Sequence, residues 1–95
     1  MKKEANFGVL AFFNNPKLKS VTLPETVKSI NAYAFGDCFA LESVYIPQST
    51  NYIYKTAFSN SRKVVLNVSE GTYAHEFAVN NNVAFETREF VYIAI

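Results

Sequence analysis

CFALESVYIPQSTNYIYKTAF, residues 38–58, reads position for position against NPKLKSVTLPETVKSINAYAF, residues 15–35. The two stretches lie 23 residues apart and share their apolar skeleton: Leu18 with Leu41, Val21 with Val44, Leu23 with Ile46, Pro24 with Pro47, Ile30 with Ile53, Ala34 with Ala57 and Phe35 with Phe58. The same step reaches back to Ala11 and Phe12 and forward to Val64, and it places Phe7 in the column of Ile30 and Ile53. Intervening columns vary, as Lys19 against Glu42 and Thr22 against Tyr45 do. A fixed period of this length marks units that stack because none buries its apolar face alone. The expected fold is a β-rich, mixed α/β solenoid.

Within each unit the alternation of Val21 with Leu23, and of Val44 with Ile46, has the two-residue period of a short half-buried strand. Proline then ends the strand because it has no N–H to donate. A second extended piece is expected around 27–30 and 50–53, and NAYAFGDC (31–38) should turn through a short helical or 3₁₀ element that inserts Ala34 and Phe35 into the core, with Gly36 relieving the backbone. In the third unit the inward residues are Val64, Leu66 and Val68, which implies a one-residue deletion between Val64 and Leu66. GTYAHEFAVNNN (71–82) then places Thr72 at an N-cap, with Ala74, Phe77 and Ala78 at helical spacing. Asn80 to Asn82 can stop the helix, because asparagine tolerates the left-handed conformation. Residues 83–95 are expected to be extended.

The columns resemble the BspA-like, or treponemal-type, leucine-rich repeats, whose 23-residue pattern runs Cys-x-x-Leu-x-x-Ile-x-Leu-Pro-x-x-Leu-x-x-Ile-x-x-x-Ala-Phe. From Cys38 the chain supplies Leu41, Val44, Ile46, Pro47, Thr50, Ile53, Ala57 and Phe58, with Thr50 in an apolar place. From Asn15, which stands for the cysteine, it supplies Leu18, Val21, Leu23, Pro24, Val27, Ile30, Ala34 and Phe35. Residues 70–85 are similar to the helical cap that closes such arrays at the C-terminus. The resemblance implies a right-handed superhelix of short leucine-rich repeats in a single domain, 1–95, with repeats at about 7–29, 30–52 and 53–69, a cap at 70–85 and an extended tail at 86–95. It also implies a protein-binding module of a bacterial surface or secreted adhesin, with a protein ligand such as a host or matrix protein. A structural or self-associating segment without its own ligand is the alternative, and a cytosolic or phage-derived scaffold is a third reading.

Composition and motifs narrow the chemistry. The chain is 49% hydrophobic, 18% charged and carries a net charge of +1, with its basic residues scattered, so nothing prepares a phosphate-tracking surface for nucleic acid. No stretch is long enough to cross a membrane, and the N-terminal apolar run is in repeat register, which argues against a signal peptide. His75 lacks a patterned nucleophile, the acidic residues have no metal or acid–base spacing, and the three glycines form no phosphate loop, so neither catalysis nor a cofactor or metal is expected. Cys38 reads as a small buried residue, and the sequon at Asn67 as a chance match. If the chain binds a protein, alternation places Ser20, Thr22, Ser43, Tyr45, Val65 and Asn67 on the outward strand face, with Tyr45 as the anchor. Three short strands present only a few hundred Å², below the ~800 Å² per partner of a stable complex. The first repeat has no polar cap ahead of Phe7, so self-association through that end, or through the tail at 90–95, is a further expectation.

Overall fold

The computed structural model describes residues 5–8 and 10–87. Seven short strands and one helix follow in the order β1 (Ala5–Phe7), β2 (Ser20–Thr22), β3 (Val27–Ile30), β4 (Ser43–Tyr45), β5 (Tyr52–Ile53), β6 (Val65–Val68), α1 (Tyr73–Asn80) and β7 (Phe85–Thr87). They form two sheets, β1-β3-β5 and β2-β4-β6-β7, in which every pairing is parallel. The registers reproduce the columns of the sequence: Val21 lies opposite Val44, and Phe7, Ile30 and Ile53 form one paired row. In the third repeat Val44 pairs with Leu66, so the one-residue deletion is real and the ladder stays in phase across it. The result is a small sheet-rich domain with one short helix.

Inward residues of both sheets meet in one core, where Val27, Ile30, Leu41, Val44 and Leu66 are fully buried. The ring of Phe35 sits between those of Phe12 and Phe58, at centroid distances of 5.3 and 5.4 Å, with its plane nearly parallel to theirs. Phe77 of α1 closes the stack, tilted by 56° at 6.3 Å from Phe58. Offset stacking of this kind adds ~0.5–1.5 kcal/mol per pair to the burial of the rings. The helix is held as its sequence requires. Thr72 Oγ1 accepts the N–H of His75, Ala74, Phe77 and Ala78 face the core, and Asn82 takes a left-handed φ of 54° just beyond the helix.

Two expectations for the third side of each repeat are corrected. Residues 31–38 contain no helical element; the chain makes successive turns, and the turns of neighbouring repeats are joined by backbone hydrogen bonds from Phe12 to Ala34, Asn14 to Gly36, Phe35 to Ala57 and Asp37 to Ser59. Within the segment the N–H groups of Ala34 and Gly36 bond back to the carbonyls of Asn31 and Tyr33, while those of Phe35 and Asp37 bond to the neighbouring repeat, so the local bonds never run on into a helix. Gly36 is also not the residue of special conformation. The left-handed positions are Tyr33 and Asp37, and the column Asn14, Asp37, Asn60 is left-handed in all three repeats. Asparagine and aspartate tolerate that region best among residues with a side chain. Gly36 serves space instead, since a Cβ there would meet the Phe13 ring at 3.1 Å.

Polar side chains at fixed columns bind one repeat to the next. Cys38 Sγ donates to the Phe12 carbonyl at 3.1 Å, and one repeat later Ser61 Oγ donates to the equivalent Phe35 carbonyl. Ser61 Oγ also accepts the Cys38 N–H at 2.9 Å. A thiol or a hydroxyl serves the column because both are small and carry one donor. Thr50, the polar residue in an apolar column, is buried and donates to the Val27 carbonyl at 2.8 Å.

Candidate functional site

The outward face of β2-β4-β6-β7 is the surface that the alternation singles out. Register sets two rows across it: Ser20, Ser43 and Val65, then Thr22, Tyr45, Asn67 and Glu86. The face is four strands wide rather than the expected three, because β7 pairs with β6, and its strands are three or four residues long. Of the expected extended tail at 86–95, Glu86 and Thr87 belong to β7, and the rest, including the candidate contact at 90–95, lies outside the described residues.

Five of the six expected face residues, Ser20, Thr22, Ser43, Tyr45 and Asn67, line one shallow depression of about 350 Å³ together with Val21. Val65 lies on the same face, half-buried and outside the depression. Ser20 and Thr22 are exposed, and Ser43 and Tyr45 are half-buried. Asn67 differs from a solvent-facing residue: it is only 5% exposed, and its Nδ2 donates to Ser43 Oγ at 2.8 Å. Its position in an inner strand, between β4 and β7, removes it from water, so the sequon at this residue has no accessible amide.

Tyr45 is oriented at its polar tip, where the hydroxyl lies 3.5 Å from Glu25 Oε1. Ser49 Oγ donates to the Glu25 carbonyl at 2.6 Å, which ties the loop after β2 to the loop after β4. Glu25 was not among the expected site residues, although its position immediately after Pro24 at the strand's end carried the signal. Glu86 was missed for another reason: β7 has no terminating proline and follows the helix, so the repeat spacing does not extend to it. Val21 was assigned to the core, yet it is only half-buried because β2 is an outer strand. The depression is lined by hydroxyls and one phenol that can hydrogen-bond a peptide, with the Asn67 amide beneath them bound to Ser43, and it holds no activated nucleophile.

Other titratable and nucleophilic residues have structural positions. His75 is half-buried rather than a free surface residue; its Nδ1 accepts the N–H of Gly71 at 3.0 Å and its ring packs on Phe85 at 5.0 Å. Cys38 is buried. Among the described residues no cluster of His, Cys, Asp or Glu could hold a metal ion, and no helix is long and apolar enough to cross a membrane.

No curated protein and no solved structure matches the chain significantly. One family does: the profile described as the BspA type leucine rich repeat region (6 copies) matches residues 5–90. That span takes in every strand among the described residues, the phenylalanine stack and the capping helix, and so the chain belongs to the BspA-type leucine-rich repeat family.

Proposed function

We propose that this chain is a protein–protein interaction module of a bacterial cell-surface or secreted adhesin-like protein, built as one right-handed solenoid domain over residues 1–95. Its repeats run at about 7–29, 30–52 and 53–69, followed by the cap at 70–85 and the tail at 86–95. Leucine-rich repeats of this kind generally serve protein interaction, and the family is commonly surface-associated. The ligand is a protein, and the contact face comprises Ser20, Thr22, Ser43, Tyr45, Val65 and Asn67. The observation that supports this face is the depression between its two rows, where hydrogen-bonding groups project from a rigid parallel sheet. Side chains fixed on strands lose little freedom on binding, so a small polar face can still select a partner.

The face is smaller than a standard interface, so binding by this chain alone is expected to be weak. Tyr45 is the anchor, since a phenol combines apolar area with a polar tip. The experiment is surface plasmon resonance against a panel of purified extracellular-matrix proteins, with the Tyr45→Ala variant alongside. Binding to at least one of them, weakened roughly tenfold by Tyr45→Ala at unchanged melting temperature, is the expected result. No binding to any of them refutes the adhesin reading, and binding that Tyr45→Ala leaves intact removes this face from it.

A further inference from the structure

The turns of adjacent repeats are knitted together in one way, and the last turn is not joined to the cap in that way. The left-handed Asn14 and Asp37 donate their N–H groups to the carbonyls of Gly36 and Ser59 in the next repeat. The N–H of left-handed Asn60 has no acceptor among the described residues. The carbonyls of Phe12 and Phe35 receive the Cys38 thiol and the Ser61 hydroxyl from the next repeat. The equivalent Phe58 carbonyl receives no side chain from the described residues and takes the N–H of Ser61 instead, at 3.1 Å. One repeat earlier the corresponding N–H, that of Cys38, is held by the hydroxyl of the following repeat.

The path of the chain explains the difference. In every repeat the left-handed residue stands four positions before the next apolar column: Asn14 before Leu18, Asp37 before Leu41, Asn60 before Val64. In the cap the left-handed Asn82 is followed directly by Val83, which the register of Leu66 with Phe85 sets level with Val64. The cap therefore lacks the three residues that would lie over Ser61, Arg62 and Lys63. In their place is a cleft of about 310 Å³ between Asn60, Ser61 and Arg62 on one side and Asn81, Asn82 and Val83 on the other. Arg62 is exposed, is the one charged residue lining the cleft, and pairs with no carboxylate of the described residues.

We propose that this cleft is a peptide-binding site, separate from the strand face, for a short segment of a partner protein in which a serine or threonine is followed by an aspartate or glutamate. The segment takes the place of the three absent residues. Its hydroxyl donates to the Phe58 carbonyl and accepts the Ser61 N–H, as the Ser61 hydroxyl does for Phe35 and Cys38. A main-chain carbonyl of the segment accepts the Asn60 N–H, which satisfies a backbone donor that the cap leaves unmet. The residue after the hydroxyl then lies over Arg62, and a carboxylate there makes a charge-assisted, bidentate pair with the guanidinium. A peptide is the occupant because the unmet groups follow one another along the turn, as the groups of a stacked chain do, and the lone cation fixes the charge of one side chain. The cleft is at the small end of ligand sites, ~300–1,000 Å³, so it holds a few residues and no more.

Titration of the isotope-labelled full chain with acetyl-Ser-Asp-Ala-amide, followed by amide chemical shifts, tests this. The expected result is saturable binding in the millimolar class, with the shifts centred on Asn60, Ser61, Arg62 and Asn82. The peptide with asparagine in place of aspartate should bind roughly tenfold more weakly, and so should the aspartate peptide to the Arg62→Gln variant. Arg62 is exposed, so the variant should keep the parent's urea midpoint, which circular dichroism checks. Acetyl-Ala-Asp-Ala-amide, without the hydroxyl, should also bind more weakly. Equal binding of the aspartate and asparagine peptides overturns the proposal, as does the absence of any saturable shift. Shifts centred on Ser20, Thr22 and Tyr45 overturn it as well, because they would place the peptide on the strand face. The amide cap leaves aspartate as the peptide's one carboxylate, so binding of acetyl-Ser-Gly with a free terminus but not of the capped peptide overturns the internal segment in favour of a chain end.

Discussion

Replacing Ser61 by alanine removes one oxygen atom and two bonds between repeats. Ser61 is buried, at 3% exposure, and its hydroxyl accepts the N–H of Cys38 and donates to the carbonyl of Phe35. The larger loss is at Cys38, because its N–H would be left buried without an acceptor, at a cost of about 1–3 kcal/mol. Losing the second bond adds about 1 kcal/mol, while the cavity left by a hydroxyl is too small to matter. The sum is about 2–4 kcal/mol, which at ~4–8 °C per kcal/mol for a domain of this size lowers the melting temperature by roughly 8–32 °C. Urea unfolding followed by circular dichroism measures it, with the slope of the transition expected to stay constant. Ser61→Cys is the informative comparison, since a thiol already makes the equivalent bond one repeat earlier, from Cys38 to Phe12. It should retain more than half of what alanine loses. A destabilisation by Ser61→Ala below about 0.5 kcal/mol would refute the view that this column fastens the repeats.

Phe35→Ala takes out the centre of the ring stack and should cost about 3–5 kcal/mol, a large part of the stability of a domain this small. Failure to give a cooperative melt is expected, whereas a folded variant with a near-native melting temperature would mean that the stack is not central to the core. Thr72→Ala removes the N-cap acceptor for the His75 N–H and should cost about 1 kcal/mol, read as a lowered urea midpoint; an unchanged midpoint would show that α1 is held by Phe77 and its alanines alone.

What could be read from the sequence was whatever recurs at the repeat step. Leu41, Val44 and Phe35 carry their burial in their column membership, and the strand face followed because alternation after Leu18 and Leu41 has only one solution. Features that depend on an atom reaching across to the neighbouring repeat were less legible. Thr50 looked like a departure from the pattern because its hydroxyl's acceptor, the Val27 carbonyl, becomes visible only when the repeats are stacked. The turns at 31–38 looked helical because local spacing says nothing of the bonds their N–H groups make to the next repeat. The left-handed column had a signal that glycine obscured: Asn14, Asp37 and Asn60 are all residues that accept a positive φ. On the candidate face, Ser20, Thr22, Ser43 and Tyr45 were legible by period, while the burial of Asn67 depended on β7, which the repeat step does not reach.

The uniform spacing of the bonds between repeats also has a consequence for how the chain folds. Cys38 to Ser61 and Thr50 to Val27 close loops of 23 residues, and Ser61 to Phe35 and Cys38 to Phe12 close loops of 26. Loop-closure entropy depends on the logarithm of loop length, so every repeat that docks meets nearly the same entropic barrier as the one before it. Few contacts are local enough to form early, which places folding among the slower small domains, in milliseconds to seconds. Docking can then begin at any adjacent pair of repeats and spread outward, and lengthening such an array adds more equal steps without making any single step harder.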